Sequence, residues 1–297
     1  MKKGVVFNFT VKPLLVLIAY LPFPLLYLIS DGMYFFVYRL VGYRKAVVRT
    51  NLMQSFPNKS RHELKLLEKQ FYKWFCDVLL ETIKLYTISP TLFKKHCTIS
   101  QASLDLVSDY YNKKQSYIAA MGHTGNWEWA GAAHQVYLPH HMIAVYHPLS
   151  NRGMDQFMIQ LRTRFGCAVV PMQKIVRDIV NRTQNGEMIG VGLIADQTPP
   201  PESAYWMQFL NQDTPVFNGP EKMARKFNLP VIYFDMQRIK RGRYHLHLSL
   251  LVPTPKSTPE GAISNAFMKT LESSIIKNPE AWLWSHRRWK HQRKNNP

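Results

Sequence analysis

His123 and Glu128 lie five positions apart in the stretch Met121-Gly122-His123-Thr124-Gly125-Asn126-Trp127-Glu128-Trp129. On a continuous helix that spacing sets two side chains about 140° apart around the axis, so they meet only if the chain turns between them. Gly125 permits such a turn. With His123 in the turn and Glu128 in the first turn of a following helix, where the helix dipole favours a carboxylate, the two can converge. A carboxylate bonded to one ring nitrogen fixes the tautomer and leaves the other nitrogen to take a proton from a hydroxyl. Such general-base assistance accelerates a reaction by about 10²- to 10⁴-fold. An imidazole titrating in its ordinary range near 6.5 is mostly neutral at neutral pH and ready for this work. Spacing alone fits a histidine and a glutamate that cap a helix start equally well.

Tyr117-Ile118-Ala119-Ala120 reads as a strand delivering His123, and Trp129-Ala130-Gly131-Ala132-Ala133 as the start of a helix. From Ser116 onward, apolar runs alternate with helical patterns. Strands are expected near 117–121, 142–146, 167–171, 188–194, 230–235 and 243–252, and helices near 127–137, 151–164, 174–185, 218–228 and 258–276. This alternation predicts an α/β fold with a central, largely parallel sheet flanked by helices, whose functional residues collect beyond the strand ends. Tyr244, Leu246, Leu248 and Leu250 alternate with polar residues, as in an edge strand. Ahead of the sheet, Ser60 and Glu63 form a capping box. The helix they open carries Leu64, Leu67, Phe71, Trp74, Phe75, Val78, Leu79 and Ile83 at helical spacing, a scaffold stripe broad enough to touch lipid.

The 297 residues suffice for a substantial core, and 38 Lys+Arg against 19 Asp+Glu leave a net charge of +19. Such an excess points to a polyanion or an anionic membrane. Arg238, Lys240, Arg241 and Arg243 form one basic cluster, and Arg287, Arg288, Lys290, Arg293 and Lys294 another. Each is a solvated face by default and also suits anionic headgroups or an acidic protein. A nucleic-acid-binding protein would account for the charge, but not for the His123–Glu128 turn or an apolar amino terminus, and no nucleic-acid motif is present. Cys76, Cys97 and Cys167 are scattered, as expected of reduced thiols facing the cytosol. His140-His141 and His245/His247 lack a third ligand at useful spacing, so no metal is expected.

Leu14 to Ile29 is apolar but for Pro22 and Pro24, which should split any helix, and its length of about 24 Å falls short of a hydrocarbon core of roughly 30 Å. After Asp31-Gly32 a second apolar stretch runs from Met33 to Val41, followed by Arg44, Lys45 and Arg49. Met1-Lys2-Lys3 could begin a signal peptide, but no small-residue cleavage site follows; a buried core hairpin is another reading. The segment reads best as an uncleaved anchor, spanning or half-inserted, with the basic flank keeping the body cytoplasmic. Residues 1–45 are assigned to this anchor and 46–297 to the α/β domain.

His123-Thr124-Gly125-Asn126-Trp127-Glu128 resembles the H-x4-D/E motif of glycerolipid acyltransferases, in the H-x-G-N-W-E form of the bacterial lipid A biosynthesis acyltransferases. Further segments follow in that family's order. Arg49-Thr50-Asn51-Leu52 and Phe56-Pro57 resemble its post-anchor segment, Arg162-Thr163-Arg164-Phe165-Gly166 its R-x-R segment, and Ala195-Asp196-Gln197 its D-Q/D-H turn. Asn278 to Lys290 is similar to its P-E-x-W-x-W-x-H-R-R-x-K signature. Tyr146-His147-Pro148 departs from the usual Y-R-P, which puts a phosphate or acceptor contact at His147 in doubt.

The resemblance implies acyl transfer from acyl–acyl carrier protein to a hydroxyl of a lipid A precursor, with no cofactor, metal or covalent acyl-enzyme. The enzyme would sit on the cytoplasmic (inner) membrane, with its catalytic domain toward the cytoplasm. His123 would be the base and Glu128 its orienting acid. Asn126, Arg162, Arg164, Asp196 and Gln197 carry over as substrate-binding positions; an arginine there would bind a phosphate or the carrier's phosphopantetheine bidentately. On the residues alone, Arg162 and Arg164 also fit a solvated helix face and Asp196 a turn cap. Backbone amides around Gly122 and Gly125 are candidate oxyanion donors. Trp282, Trp284 and Trp289 fit either a core or a membrane interface, and the interface is the expectation. A phospholipid, mannolipid or aminolipid is the alternative acceptor, and a hydrolase is disfavoured because no G-x-S-x-G elbow is present.

Overall fold

A computed structural model describes residues 7–293 of the chain. Lys2, Lys3 and Lys294, which enter the charge readings above, lie outside the described residues. Its strands are β1 (Cys97–Ile99), β2 (Tyr117–Met121), β3 (His141–Tyr146), β4 (Ala168–Pro171), β5 (Ile189–Ile194), β6 (Tyr205–Phe209), β7 (Gln212–Val216), β8 (Val231–Lys240) and β9 (Arg243–Val252). Seven of them form one sheet in the order β1-β9-β8-β2-β5-β3-β4, and β6 and β7 form a separate hairpin. Every pairing in the large sheet is parallel except β8 with β9. The architecture is thus the α/β fold expected, with helices on both faces. β2 sits at the centre, and all five of its residues are buried. A strand covered on both faces reads as a continuous apolar run, which Tyr-Ile-Ala-Ala-Met is.

Each helix expected beyond Ser116 is present within a few residues of its predicted bounds. β9 is not the edge strand that its alternation suggested. Its outer side is covered by the three-residue β1, with Cys97 opposite Tyr244, and Leu250 faces outward at 39% exposure while Tyr244, Leu246 and Leu248 are buried. The hairpin, β1 and the Gln101–Asn112 helix lie outside the strands and helices expected.

The helix Arg61–Lys84 is the main strut. Its capping box is made: the Glu63 amide donates to Ser60 Oγ at 3.3 Å, and the Ser60 amide to a Glu63 carboxylate oxygen at 2.7 Å. Phe71, Trp74 and Val78 are buried in the core. Asp77, Glu81 and Lys84 are also buried, and they bind the amino-terminal helices by polar contacts. Lys84 Nζ donates to the carbonyls of Ala19 and Leu21, each at 2.8 Å, where the chain breaks before Pro22. Tyr27 donates to Glu81 at 2.8 Å and Ser30 to Asp77 at 2.7 Å.

As the prolines required, the amino-terminal segment is split, into Lys12–Tyr20 and Phe23–Tyr34. Asp31-Gly32, however, does not separate two stretches. Both residues lie inside a helical run that continues to Val41, because Arg241 pairs with Asp31 at 2.8 Å and one internal glycine costs only about 1 kcal/mol. Among the described residues no single helix is long and apolar enough to cross a membrane; Phe23–Val41 and Lys45–Ser55 qualify only together, bent by 94°. The outward side of these helices presents Leu14, Leu17, Leu28, Phe35, Phe36 and Leu40, each more than half exposed.

Candidate active site

β2 and β5 are neighbouring parallel strands in which Met121 is paired with Ile194. His123 and Asp196 therefore each lie two residues past a matched strand end, and they meet. The imidazole Nδ1 of His123 is 2.6 Å from Asp196 Oδ1. The other carboxylate oxygen, Oδ2, accepts the His123 amide at 2.8 Å and the Trp282 indole N–H at 2.8 Å. Asp196 is 2% exposed. Burial works against its charge, but the imidazole, its hydrogen bonds and the Trp282 donor hold the carboxyl down to about 2. An ionised acceptor on Nδ1 makes that nitrogen the N–H donor, so the lone pair sits on Nε2. Gln197 Nε2 lies 3.3 Å from it.

The turn holding His123 is fixed from several sides. Gly125 has φ +55°, and a Cβ there would meet the Met236 carbonyl oxygen at 1.7 Å, so no side chain fits. The Gly125 amide donates to the Ala281 carbonyl at 2.9 Å, and its own carbonyl accepts the Trp74 indole N–H at 3.0 Å. Thr124 pairs with Trp282, strapping the carboxy-terminal segment against the loop. The Trp127 ring stands edge-on to the imidazole, with centroids 5.2 Å apart.

These contacts correct several expectations. Glu128 does not orient His123: Arg162 grips it bidentately, Nε at 2.8 Å and Nη2 at 2.7 Å, while Asp196 takes the imidazole. Burial opposes the Glu128 charge too, yet Arg162 and, less strongly, His123 hold its carboxyl below the ordinary range. Asn126 does not face a ligand. It is fully buried, caps the helix Trp127–Tyr137 by accepting the Trp129 amide, and donates to Glu81 at 2.9 Å. Arg164 points away and donates to the Ile88 carbonyl. The amides of His123 and Gly125 are already committed to Asp196 and Ala281, so neither is free for an oxyanion. Trp282 and Trp284 are core residues, 2% and 0% exposed, and not at a membrane interface. Trp289 is partly buried and donates to Thr214 at 2.7 Å.

The basic clusters also change character. Arg238 and Arg241 are held by Asp77, each within 2.8 Å, and Arg288 is 0% exposed. Arg287, Lys290 and Arg293 remain on the surface. No group of three histidine, cysteine or carboxylate side chains gathers to hold a metal among the described residues.

His123 opens onto a cavity of about 490 Å³. Its lining includes the polar or amphipathic Trp127, Glu128, Tyr146, His147, Arg162 and Gln197 and the apolar Leu85, Met121, Met142, Leu161, Met172 and Ile194. This volume is in the usual range for a ligand site, and the apolar walls suit a hydrocarbon chain. Of the positions expected to bind substrate, Arg162 and Gln197 line the cavity and Asp196 acts behind His123. Trp282 and Trp127 were not foreseen as parts of the site, although Trp127 lies inside the motif.

A family model described as bacterial lipid A biosynthesis acyltransferase matches residues 4–291. The chain is 22% identical to the lipid A biosynthesis palmitoleoyltransferase of Escherichia coli (strain K12) over 273 residues, 91% of this chain and 86% of that protein. It is likewise 22% identical to the lipid A biosynthesis lauroyltransferase of the same organism over 278 residues, 92% and 88% of the two chains.

Proposed function

The chain belongs to the bacterial lipid A biosynthesis acyltransferase family, and from that premise we propose that it moves a fatty acyl chain from an acyl-carrier-protein thioester to a hydroxyl of a lipid A precursor, with His123 as general base. The observation that carries this reading is an imidazole held through Nδ1 by a buried carboxylate, beside an apolar cavity. Nε2 takes the proton of the acceptor hydroxyl as its oxygen attacks the thioester carbonyl. That attack forms the C–O bond of a tetrahedral adduct, which collapses by re-forming the carbonyl and cleaving C–S to leave the ester. The proton on Nε2 leaves with the thiolate as the carrier's thiol. Asp196 stabilises the transient imidazolium, the role first expected of Glu128. Glu128 acts through Arg162, holding its guanidinium at the cavity wall to meet an anionic group of donor or acceptor. The thioester carries its own activation, so this step uses no metal or cofactor.

The exposed apolar side of the Lys12–Tyr20 and Phe23–Val41 helices, flanked by Arg39, Arg44, Lys45 and Arg49, supports a half-inserted anchor on the cytoplasmic side of the inner membrane. The buried polar contacts to Glu81, Asp77 and Lys84 support the same geometry, since one side of the helix stays bound to protein.

Purified protein given an acyl-carrier thioester and a lipid A precursor should yield a product heavier by one acyl chain, and His123→Ala should abolish it. Full turnover by a folded His123→Ala protein would overturn the base. Acylation of phospholipid in place of the precursor would overturn the acceptor.

A further inference from the structure

The Glu81 side chain is 0% exposed and ties together three elements that lie far apart in the sequence. Its Oε1 accepts the Tyr27 hydroxyl of the Phe23–Tyr34 helix at 2.8 Å. Its Oε2 accepts the Tyr244 hydroxyl of β9 at 2.6 Å and Asn126 Nδ2 at 2.9 Å. The backbone carbonyl of the same residue accepts the Trp129 indole N–H at 2.9 Å, so Glu81 grips the start of the Trp127–Tyr137 helix twice. A hydroxyl donates or accepts, but an amide nitrogen only donates, so the oxygen at Oε2 fixes which way the Asn126 amide faces. With Nδ2 committed, Asn126 Oδ1 is turned to the Trp129 amide at 3.2 Å and caps the helix. The first turn of that helix carries Trp127, edge-on to the His123 ring, and Glu128, which holds Arg162. A second contact runs in parallel: the Phe23 ring stands edge-on to the Trp129 ring, with centroids 6.4 Å apart.

We propose that Glu81 is a positioning residue that makes the anchor part of the catalytic frame: through it, the seating of the Phe23–Tyr34 helix fixes the turn that carries Trp127 and Glu128 beside His123. Glu81 does not line the cavity, and it acts through Asn126. Burial pushes its carboxyl up, and an apolar side chain would fill the same place without needing partners. What the carboxyl adds is direction, since its oxygens set the orientation of donors on three separate elements. The outer side of the anchor is exposed apolar surface, and its inner side ends on this carboxyl. Whatever holds the anchor in a membrane therefore also holds one end of the network. A misplacement of about 1 Å at a reacting group costs about a hundredfold in rate, so the loss of one link is large enough to measure.

This inference rests on the acyl-transfer reading with His123 as base. The test is kcat and KM for transfer from the carrier thioester to the lipid A precursor, per folded molecule, on the full chain bound to anionic vesicles. Wild type is compared with Tyr27→Phe, Asn126→Ser, Glu81→Met and Glu81→Gln. Glu81→Met should lower kcat by about ten- to a hundredfold with KM within about twofold of wild type. Asn126→Ser keeps a capping oxygen but drops the donor to Glu81, and Tyr27→Phe drops only the hydroxyl on the anchor. Each should lower kcat by about three- to tenfold. Glu81→Gln can serve Asn126 and Tyr244 with its amide oxygen while its NH₂ donates to the Tyr27 oxygen, and should keep kcat within about threefold of wild type. Flotation should show Tyr27→Phe on the vesicles as fully as wild type, which separates its loss from failed recruitment. A merely structural Glu81 would lower Tm and leave kcat per folded molecule unchanged in all four variants, and that result overturns the proposal. An unchanged kcat in Tyr27→Phe alone overturns the anchor's part in it, and a loss in Glu81→Gln as large as in Glu81→Met overturns the orienting role. If Glu81→Met does not fold, Tyr27→Phe and Asn126→Ser decide by the same criteria. Failure of the base reading shows separately, as turnover by folded His123→Ala.

Discussion

Asp196→Asn separates the two carboxylates that could serve His123. Oδ2 accepts both the His123 amide and the Trp282 indole N–H, so the oxygen of an asparagine must occupy that place. Its NH₂ then faces Nδ1, 2.6 Å away in the wild type, and two N–H donors cannot share that gap. The imidazole must adopt the other tautomer, with Nε2 protonated toward the cavity and no lone pair for the acceptor hydroxyl. Loss of general-base assistance is worth about 10²- to 10⁴-fold in kcat, or about 3 to 5 kcal/mol of barrier. A smaller stability loss should accompany it. The Asp196 carboxyl is depressed to about 2 from an ordinary 3.8, so it contributes about 2 kcal/mol, present above pH 4 and lost as the pH falls toward 2. The assay is single-turnover acyl transfer from the carrier thioester, with folding checked by circular dichroism. A folded Asp196→Asn protein with kcat within threefold of wild type would refute the assignment of Asp196 as the orienting acid.

Other consequences follow from the same contacts. If Glu128 works through Arg162, Glu128→Gln and Arg162→Met should each lower kcat/KM, and the double variant should be little worse than either alone; multiplicative losses in that cycle would contradict the coupling. Gly125→Ala should destabilise the protein by more than about 2 kcal/mol, read as a fall in Tm or loss of soluble protein, because a left-handed backbone and a Cβ driven into the Met236 carbonyl act together. His286 is held neutral, at about 4, so stability should fall as the pH drops from about 6.5 to 4, by about 3 kcal/mol, and level off below; His286→Gln should remove that part of the slope in urea titrations. His134, lowered to about 3 by burial, contributes with the same sign and should keep a residual slope in the variant. Replacing Leu17, Leu28 and Phe36 together by serine should weaken binding to anionic vesicles by several kcal/mol in a flotation assay, at about 1.5 to 3 kcal/mol for each fully inserted side chain, with the fold retained.

The central strands and the helices between them were legible because a buried parallel sheet imposes apolar runs, and Tyr117–Met121 is one. The hairpin Tyr205–Val216 was not: Tyr205-Trp206-Met207 is apolar, but Pro199, Pro200 and Pro201 stand just before it and Gln212, Asp213 and Pro215 interrupt its partner strand. His123 was legible from its motif, but its partner was misassigned. Glu128 lies nearby in sequence, whereas Asp196 is 73 positions away and becomes a neighbour only through the β2–β5 pairing. The usable signal was already present: residues just past the ends of two adjacent parallel strands converge. Trp282 and Arg288 were read as surface residues because tryptophan and arginine beside many charges usually are, and nothing local marks a chain end threaded into the core.

The most direct test of the account is mass spectrometry of lipid A from cells lacking this chain, complemented with wild type or with His123→Ala. Lipid A should be lighter by one acyl chain in the deletion, restored by wild type and not by His123→Ala. Unchanged lipid A in the deletion, or restoration by a folded His123→Ala protein, would contradict it.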